Sequence, residues 1–167
     1  MIIRQCNETD IEEIYSIIND AAEAYRGHLE PDCWHEPYMP MDYLRGEIDS
    51  GVVFWGYEEN GRLIGVMGIQ DIQDVTLIRH AYVRTTCRRK GIGGRLIRHL
   101  LTLSDRPTMI GTWKAATWAI DFYAKYGFEL VTEEEKERLL RKYWSIPERQ
   151  ITTSVVMVDE KCNVERA

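Results

Sequence analysis

The alternation of apolar and polar residues divides the chain into short strands and amphipathic helices. Apolar residues at helical spacing from Ile11 to Tyr25 predict a first helix that ends at Gly27. Alternating segments on either side of Asn60-Gly61 predict a hairpin, because this pair favours a tight turn. The pattern predicts strands at 2–6, 52–58, 62–70, 75–84, 108–113, 128–131 and 151–158. It predicts helices at 11–25, 41–49, 92–103, 115–125 and 133–144.

The order of these elements indicates the fold class. An antiparallel run of strands comes first, and strands then alternate with helices. This order predicts an α/β fold with one mixed, mostly antiparallel sheet of about seven strands and helices on both faces. No repeat, low-complexity segment or linker interrupts the 167 residues, so we expect a single domain over 1–167.

Composition and charge exclude several classes of protein. The net charge of −6 argues against broad nucleic-acid binding, which depends on neutralising phosphates. No apolar run approaches the roughly 20 residues of a membrane helix, and the N-terminus lacks the apolar core of a signal peptide. We therefore expect a cytoplasmic protein that binds neither nucleic acid nor membrane.

The four cysteines are scattered without a Cys-x-x-Cys pair, so we expect neither a disulfide framework nor a metal site.

Basic residues are concentrated in one part of this acidic chain. Between Val75 and Ser104 there is no Asp or Glu. The same segment contains Arg79, Arg84, Arg88, Arg89, Lys90, Arg95 and Arg98. Such a local concentration favours a small anionic ligand rather than a long polyanion.

The segment Arg88-x-x-Gly91-x-Gly93 lies between a predicted strand and a predicted helix. Free N–H groups at a helix N-terminus attract anions, and glycines let a phosphate approach the backbone. Arg88, Arg89 and Lys90 would add charge-assisted hydrogen bonds. The pattern therefore predicts a phosphate loop. A glycine-rich turn before an exposed basic helix is the alternative when the motif is taken alone.

Two familiar phosphate motifs do not fit this loop. A dinucleotide fingerprint needs a third small residue where Leu96 stands. A P-loop needs Gly-Lys followed by Ser or Thr, whereas this chain has Gly93-Gly94-Arg95. The predicted phosphate site therefore belongs to a different class.

Two blocks of sequence resemble the GNAT superfamily of acetyl-CoA-dependent N-acetyltransferases. Residues 80–84, HAYVR, with 88–96, RRKGIGGRL, are similar to the family's splayed central strand and pyrophosphate loop. Residues 119–128, AIDFYAKYGF, are similar to a helix–strand segment of the family. The order of the upstream elements also fits, and the resemblance spans roughly 2–131.

The resemblance implies an enzyme that transfers an acetyl group from acetyl-CoA to a primary amine. Backbone groups of Tyr82 and Val83 would pair with the pantetheine arm. The implied cofactor-binding residues are Tyr82, Val83, Arg88, Arg89, Lys90, Gly91, Ile92, Gly93, Gly94 and Arg95. Tyr123 matches the tyrosine that protonates the departing thiolate in many members. Packing in the core is the alternative role for Tyr123, and Tyr126 is the alternative donor.

The chain lacks two residues that are common in the family, a carboxylate on the central strand and an asparagine before the second block. The segment 75–84 lacks the carboxylate that many members use to deprotonate the amine. His80 is the candidate base, because an unperturbed imidazole titrates near neutral pH, and a structural histidine is the alternative. The other candidates, acting through water, are Asp71, Asp74, His35 and Glu36. Ala116 also replaces an asparagine that is common in the family.

The acceptor is left open as a small-molecule or peptide amine. Five aromatic residues, Tyr25, Trp34, Tyr38, Trp113 and Trp118, would favour an apolar or cationic amine if they line its pocket. Ordinary core packing is the alternative for them. The helix at 133–144 covers the acceptor site, packs in a homodimer or packs on its own domain. A non-catalytic acyl-CoA-binding or sensing module is the alternative function, favoured by the missing carboxylate and opposed by Tyr123.

Overall fold

A seven-stranded sheet forms the centre of the computed structural model, which describes residues 1–162. Its strands are β1 (Ile2–Gln5), β2 (Val53–Glu59), β3 (Arg62–Ile72), β4 (Val75–Val83), β5 (Thr108–Trp113), β6 (Glu129–Leu130) and β7 (Ser154–Val158). Their order is β1-β2-β3-β4-β5-β7-β6, and only the β4–β5 pair is parallel. The mixed, mostly antiparallel sheet predicted from the sequence is confirmed.

The helices are α1 (Ile11–Ala21), α2 (Met41–Asp49), α3 (Ile92–Leu101), α4 (Thr117–Ala124), α5 (Glu133–Tyr143) and α6 (Glu148–Thr153). The first helix ends in a 3₁₀ turn at Ala22–Tyr25, and 3₁₀ turns also occur at Glu8–Asp10, Pro31–Cys33 and Thr85–Cys87. Within residues 1–162, no helix combines the length and the apolar character needed to cross a membrane.

Helices cover both faces of the sheet. Successive residues of a strand point to opposite faces, so the sheet can pack against helices on both sides. Met67 and Ile110 pack with α3 and α4 on one face. Their neighbours Val66 and Met109 point to the other face, where Val66 packs with α1 and α2. Met109 packs there with α5 and α6.

The two central strands separate partway along their length. β4 and β5 pair only where Thr76–Ile78 lies beside Thr108–Ile110. Beyond Ile78, β4 continues beside β3, and beyond Ile110, β5 continues beside β7. The divergence leaves a gap in the middle of the sheet, with backbone groups on both strands free to bind a ligand.

A β-bulge distorts β4 at the start of this gap. Met67 of β3 lies opposite two residues of β4, His80 and Ala81. His80 has φ of 55°, in the left-handed region that residues with a side chain seldom adopt. The bulge therefore gives the predicted base an orientation that a regular strand would not provide.

Gly68 makes room for the bulge on the neighbouring strand. A Cβ atom at this position would lie 2.9 Å from the carbonyl oxygen of Arg79 and 2.8 Å from a methyl group of Val52. The first of these neighbours is backbone and cannot move aside without changing the bulge. A side chain on β3 is therefore incompatible with this shape of β4.

The predicted strand at 151–158 is wrong in its first three residues, since Ile151–Thr153 form the end of α6. The β-branched residues favour a strand locally. However, Pro147 begins a helical turn by accepting a hydrogen bond from the Ile151 amide. The Thr152 and Thr153 hydroxyls then donate to the Arg149 carbonyl. These local bonds stabilise a helix that alternation does not reveal.

Candidate functional site

A cavity of about 620 Å³ opens at the gap between β4 and β5. Its lining combines the loop before α3, the bulged part of β4, the C-terminal part of β5, α4 and the segment after α5. The volume lies within the range of about 300–1,000 Å³ that is usual for small-molecule sites. The two sequence blocks that resemble GNAT proteins therefore meet at one cavity.

The N-terminus of α3 presents free backbone amides to this cavity. Gly91 is the N-cap with φ of 76°, and no side chain within the described range 1–162 caps the helix. The Arg95 amide makes the bond to the Gly91 carbonyl that closes the first helical turn. The amides of Ile92, Gly93 and Gly94 precede that bond and have no partner within the helix. This terminus can hold an anion through these amides and the helix dipole.

The basic side chains of the loop and of the first turn of α3 point in different directions. Arg88 and Arg89 line the cavity. Arg88 also donates to the Ala21 carbonyl at 3.0 Å, which ties the loop to the end of α1. The Arg95 guanidinium instead donates to the Tyr57 hydroxyl at 2.8 Å. The Lys90 side chain is exposed and is not part of the lining described for the cavity.

Two glycines at the start of α3 allow α4 and the turn after it to pack closely. A Cβ atom on Gly93 would lie 3.2 Å from the Phe122 ring. A Cβ atom on Gly94 would overlap the Tyr126 hydroxyl. Tyr126 therefore packs over the beginning of α3, and it also lines the cavity.

The backbone of β4 offers an N–H group to the gap. The Arg84 amide donates to the Ile64 carbonyl of β3 at 2.9 Å. Hydrogen-bonding directions alternate along an antiparallel strand. The amide of Val83, one residue earlier, therefore points away from β3 and towards the gap.

Tyr123 lies on α4 at the wall of the cavity and is only 7% exposed. Its ring makes edge contacts with Phe122 and Phe128, at centroid distances of 5.2 and 6.3 Å. Burial raises the pKa of its hydroxyl, so the phenol stays protonated at neutral pH. Within residues 1–162 this hydroxyl has no hydrogen-bond partner, which leaves it available to a ligand.

His80 is joined to a buried carboxylate that the sequence analysis missed. Its Nε2 lies 3.2 Å from Oε1 of Glu47 on α2. Arg79 contacts both carboxylate oxygens of Glu47 at 3.2 Å and also donates to Gln70. Glu47 follows the buried Leu44 by three residues, which places both on the inner face of α2. That spacing was the available sequence signal.

The protonation states of this pair follow from its surroundings. Burial opposes the charge on Glu47, but the hydrogen bond with His80 and the charge of Arg79 lower its pKa overall. Burial also lowers the pKa of His80 below its usual 6.5, although Glu47 opposes this effect. Ionised Glu47 can only accept, so neutral His80 donates from Nε2 and leaves Nδ1 unprotonated. His80, which lines the cavity, can thus act as a base.

The other candidate bases have structural partners or lie elsewhere. Asp71 accepts from the Thr76 hydroxyl at 2.6 Å, and Asp74 accepts from the Tyr143 hydroxyl at 2.7 Å. Glu36 pairs with Arg26 at the surface, and His35 is exposed. Among the described residues, no Asp or Glu lines the cavity. In the same part of the chain, no three His, Cys, Asp or Glu residues gather as metal ligands would.

Most of the aromatic residues noted in the sequence surround the same cavity. Tyr25, Tyr38, Trp113 and Trp118 line it, whereas Trp34 stacks behind Tyr38 at a centroid distance of 6.0 Å. The Tyr25 ring lies 5.3 Å from that of Tyr38 and 6.1 Å from that of Trp118. Part of the cavity wall is therefore aromatic.

Residues 5–141 match the family described as "Acetyltransferase (GNAT) domain". Among solved structures, the chain is similar to the PaiA N-acetyltransferase of Thermoplasma acidophilum in complex with coenzyme A. That match has a TM-score of 0.69 and 16% identity, and it covers 95% of this chain and 97% of the other.

Two further solved structures have similar folds. The ribosomal-protein-S18-alanine N-acetyltransferase of Escherichia coli has a TM-score of 0.66 and 17% identity, with 95% of this chain and 92% of the other covered. The N-acetylglutamate synthase of Neisseria gonorrhoeae, complexed with coenzyme A and N-acetyl-glutamate, has a TM-score of 0.62 and 21% identity. That match covers 95% of this chain and 34% of the other.

Proposed function

This chain belongs to the GNAT acetyltransferase family and is therefore an acyltransferase, and we propose that it transfers an acetyl group from acetyl-CoA to the primary amine of an acceptor. The observation that carries the proposal is the meeting of three features at one cavity. These features are the free amides at the start of α3, the gap between β4 and β5, and the His80–Glu47 pair.

The proposed position of acetyl-CoA follows the shape of this site. Its diphosphate binds the amides of Ile92, Gly93 and Gly94, with Arg88 and Arg89 beside it. Its pantetheine arm lies along β4 in the gap, as an added strand would. The similar proteins of Thermoplasma acidophilum and Neisseria gonorrhoeae were solved with coenzyme A, which supports this placement.

The proposed reaction is a direct attack of the amine on the thioester carbonyl. A C–N bond forms as the carbonyl oxygen gains negative charge, and the Val83 amide donates to that oxygen. His80 accepts the proton of the amine at Nδ1, and Glu47 stabilises the resulting imidazolium through Nε2. The intermediate then collapses and the C–S bond breaks.

The departing thiolate takes a proton from Tyr123 in this proposal. A thiol has a pKa of about 8.5, so a nearby donor assists its departure. The buried Tyr123 is protonated before the reaction because its pKa is raised. The tyrosine regains a proton from solvent after the products leave.

The alternative of a non-catalytic acyl-CoA-binding module was based on the absence of a carboxylate from β4. Glu47 of α2 provides a carboxylate beside His80 of β4, which supports catalysis over binding alone. Thiol release from acetyl-CoA across a panel of amines, with mass spectrometry of the products, decides between the two. Acetylated amine supports the enzyme, whereas acetyl-CoA binding without thiol release for any amine supports the module.

A further inference from the structure

One side of the cavity has an apolar wall formed by a residue near the end of α5 and by residues that follow this helix. The Trp144 indole lies flat against β5 at Gly111, where a Cβ atom would be 3.3 Å from the ring. Leu140 and Ile146 extend the same wall. Because Met109 and its neighbours on this face pack with α5, the wall lies on the opposite face of the sheet from Tyr123. Since the proposed reaction places the departing thiolate beside Tyr123, we place the acceptor on this opposite side.

A second part of the lining is aromatic, and the side chain of Trp113 there has no free polar group. The Trp113 indole N–H donates to the Tyr38 hydroxyl at 2.7 Å. This bond occupies the polar end of the indole and leaves its ring face in contact with the cavity. The two walls together offer flat apolar surfaces to a ligand body.

Two contacts connect the loop between α1 and α2 to other elements of the fold. The loop between α1 and α2 reaches β5 through the Tyr38–Trp113 bond. The same loop reaches α6 through an ion pair between Asp32 and Arg149, whose closest atoms are 2.7 Å apart. The Tyr38–Trp113 bond thus holds two lining side chains in place, and the cavity volume of about 620 Å³ is in the range of small-molecule sites.

The charges around the cavity are positive. Four basic residues line it, namely Arg79, Arg88, Arg89 and Lys125. Among the described residues no Asp or Glu lines it, and the nearby Glu47 is already paired with Arg79. A second cationic group on the acceptor would lose its hydration and gain no anionic partner, and contact with the aromatic rings would offset only part of this cost. The site therefore disfavours polyamines, which would need carboxylates along their length.

We propose that the acceptor is a small primary amine with an aromatic or bulky apolar body and no second positive charge. This inference rests on the proposed function, because it assumes that the cavity holds the acceptor of an acetyl transfer. The ring of the acceptor lies between Trp144 and the Tyr38–Trp113 pair, and its amino group points towards His80.

The test compares 2-phenylethylamine with spermidine as acceptors. Thiol release gives kcat/KM for each amine, and calorimetry in the presence of CoA gives its affinity without turnover. We expect kcat/KM to be about 100-fold higher for 2-phenylethylamine than for spermidine. The phenyl ring matches the apolar lining, whereas the additional charges of spermidine have no anionic partner there. Equal or better use of spermidine would overturn the inference while leaving acetyl transfer intact.

Two variants locate the selectivity in the cavity. Trp144→Ala should lower kcat/KM for 2-phenylethylamine by about 10- to 100-fold through lost apolar contact. Trp55→Ala, which removes a tryptophan outside the cavity lining, serves as its control.

Gln150→Glu is nearly isosteric and adds a carboxylate to the lining. It should raise kcat/KM for spermidine by about 10-fold through a new ion pair.

The readouts separate failure of this inference from failure of the proposed function. If 2-phenylethylamine binds selectively but is not acetylated, the acceptor class is supported and the transfer reaction is rejected. If neither binding nor turnover responds to Trp144→Ala or Gln150→Glu, the acceptor does not occupy this cleft and the inference is wrong.

Discussion

Glu47 of α2 lies with its Oε1 3.2 Å from Nε2 of His80 at the bulge of β4. The two residues are 33 positions apart in the sequence. The helix thus supplies the strand with the carboxylate that the strand itself lacks, and it fixes which imidazole nitrogen carries the proton.

Glu47→Gln should impair the base without removing it. The carboxylate raises the pKa of His80, so its loss moves that pKa further down and leaves the ring less firmly held. We expect kcat to fall by about 10- to 100-fold, as when a group that orients a functional histidine is lost. The acidic limb of the kcat–pH profile should also move to lower pH, an effect that purely structural damage would not produce. Glu12→Gln, at an exposed position of α1, is the matched control.

The buried imidazole also predicts how stability depends on pH. An unfolded histidine titrates near pH 6.5, whereas the native pKa of His80 is lowered. Between these two values the unfolded state binds more protons, so the free energy of unfolding decreases as pH falls through about 6.5. Thermal unfolding from about pH 7.5 to 5.5 should show a smaller decrease in His80→Gln than in the wild type. The exposed His35→Gln should behave like the wild type, and equal slopes in all three proteins would rule out a neutral buried His80.

Tyr123→Phe tests the proton donor. Removing the hydroxyl should lower kcat by about 100-fold, the lower range for a general acid. It should leave the affinity for CoA nearly unchanged, because the proposed diphosphate site lies at α3. Steady-state kinetics and calorimetry measure the two effects separately. An unchanged kcat would exclude Tyr123 from the mechanism.

Close packing between the start of α3 and Tyr126 gives a paired prediction. Gly94→Ala should weaken CoA binding, because its Cβ overlaps the Tyr126 hydroxyl and displaces the helix start. Tyr126→Phe removes the overlapping oxygen and should restore part of the affinity in the double variant. Calorimetry of the three variants measures this coupling. Equal CoA affinity in Gly94→Ala and the wild type would show that the contact has no influence on the phosphate site.

The sequence contained enough information to predict the sheet and the junction of loop and helix at Gly91. Gly91 and Gly93 stand between a strand pattern and an amphipathic helix. The folded protein has the elements that this local pattern predicts, because tertiary contacts do not change them. The end of α6 was predicted wrongly, because Ile151 and its threonine neighbours have strand propensity but take part in a turn begun by Pro147. Local propensity was overridden there by hydrogen bonds to residues further upstream.

The arrangement around His80 could not be predicted in the same way. The bulge depends on Gly68 of a neighbouring strand and on a register shift that alternation within β4 does not record. Glu47 comes from a separate helix, and only its spacing from Leu44 hints at burial. Sequence patterns describe one element at a time, whereas this site arises from contacts between three elements.

The central claim is that the free amides at the start of α3 hold the diphosphate of acetyl-CoA. Titration calorimetry with acetyl-CoA and with S-acetylpantetheine, which lacks the diphosphate, tests it most directly. We predict one-to-one binding of acetyl-CoA and at least about 100-fold weaker binding of S-acetylpantetheine, since several charge-assisted hydrogen bonds are lost. Absence of binding heat with acetyl-CoA, or equal affinity for the two ligands, would contradict the account.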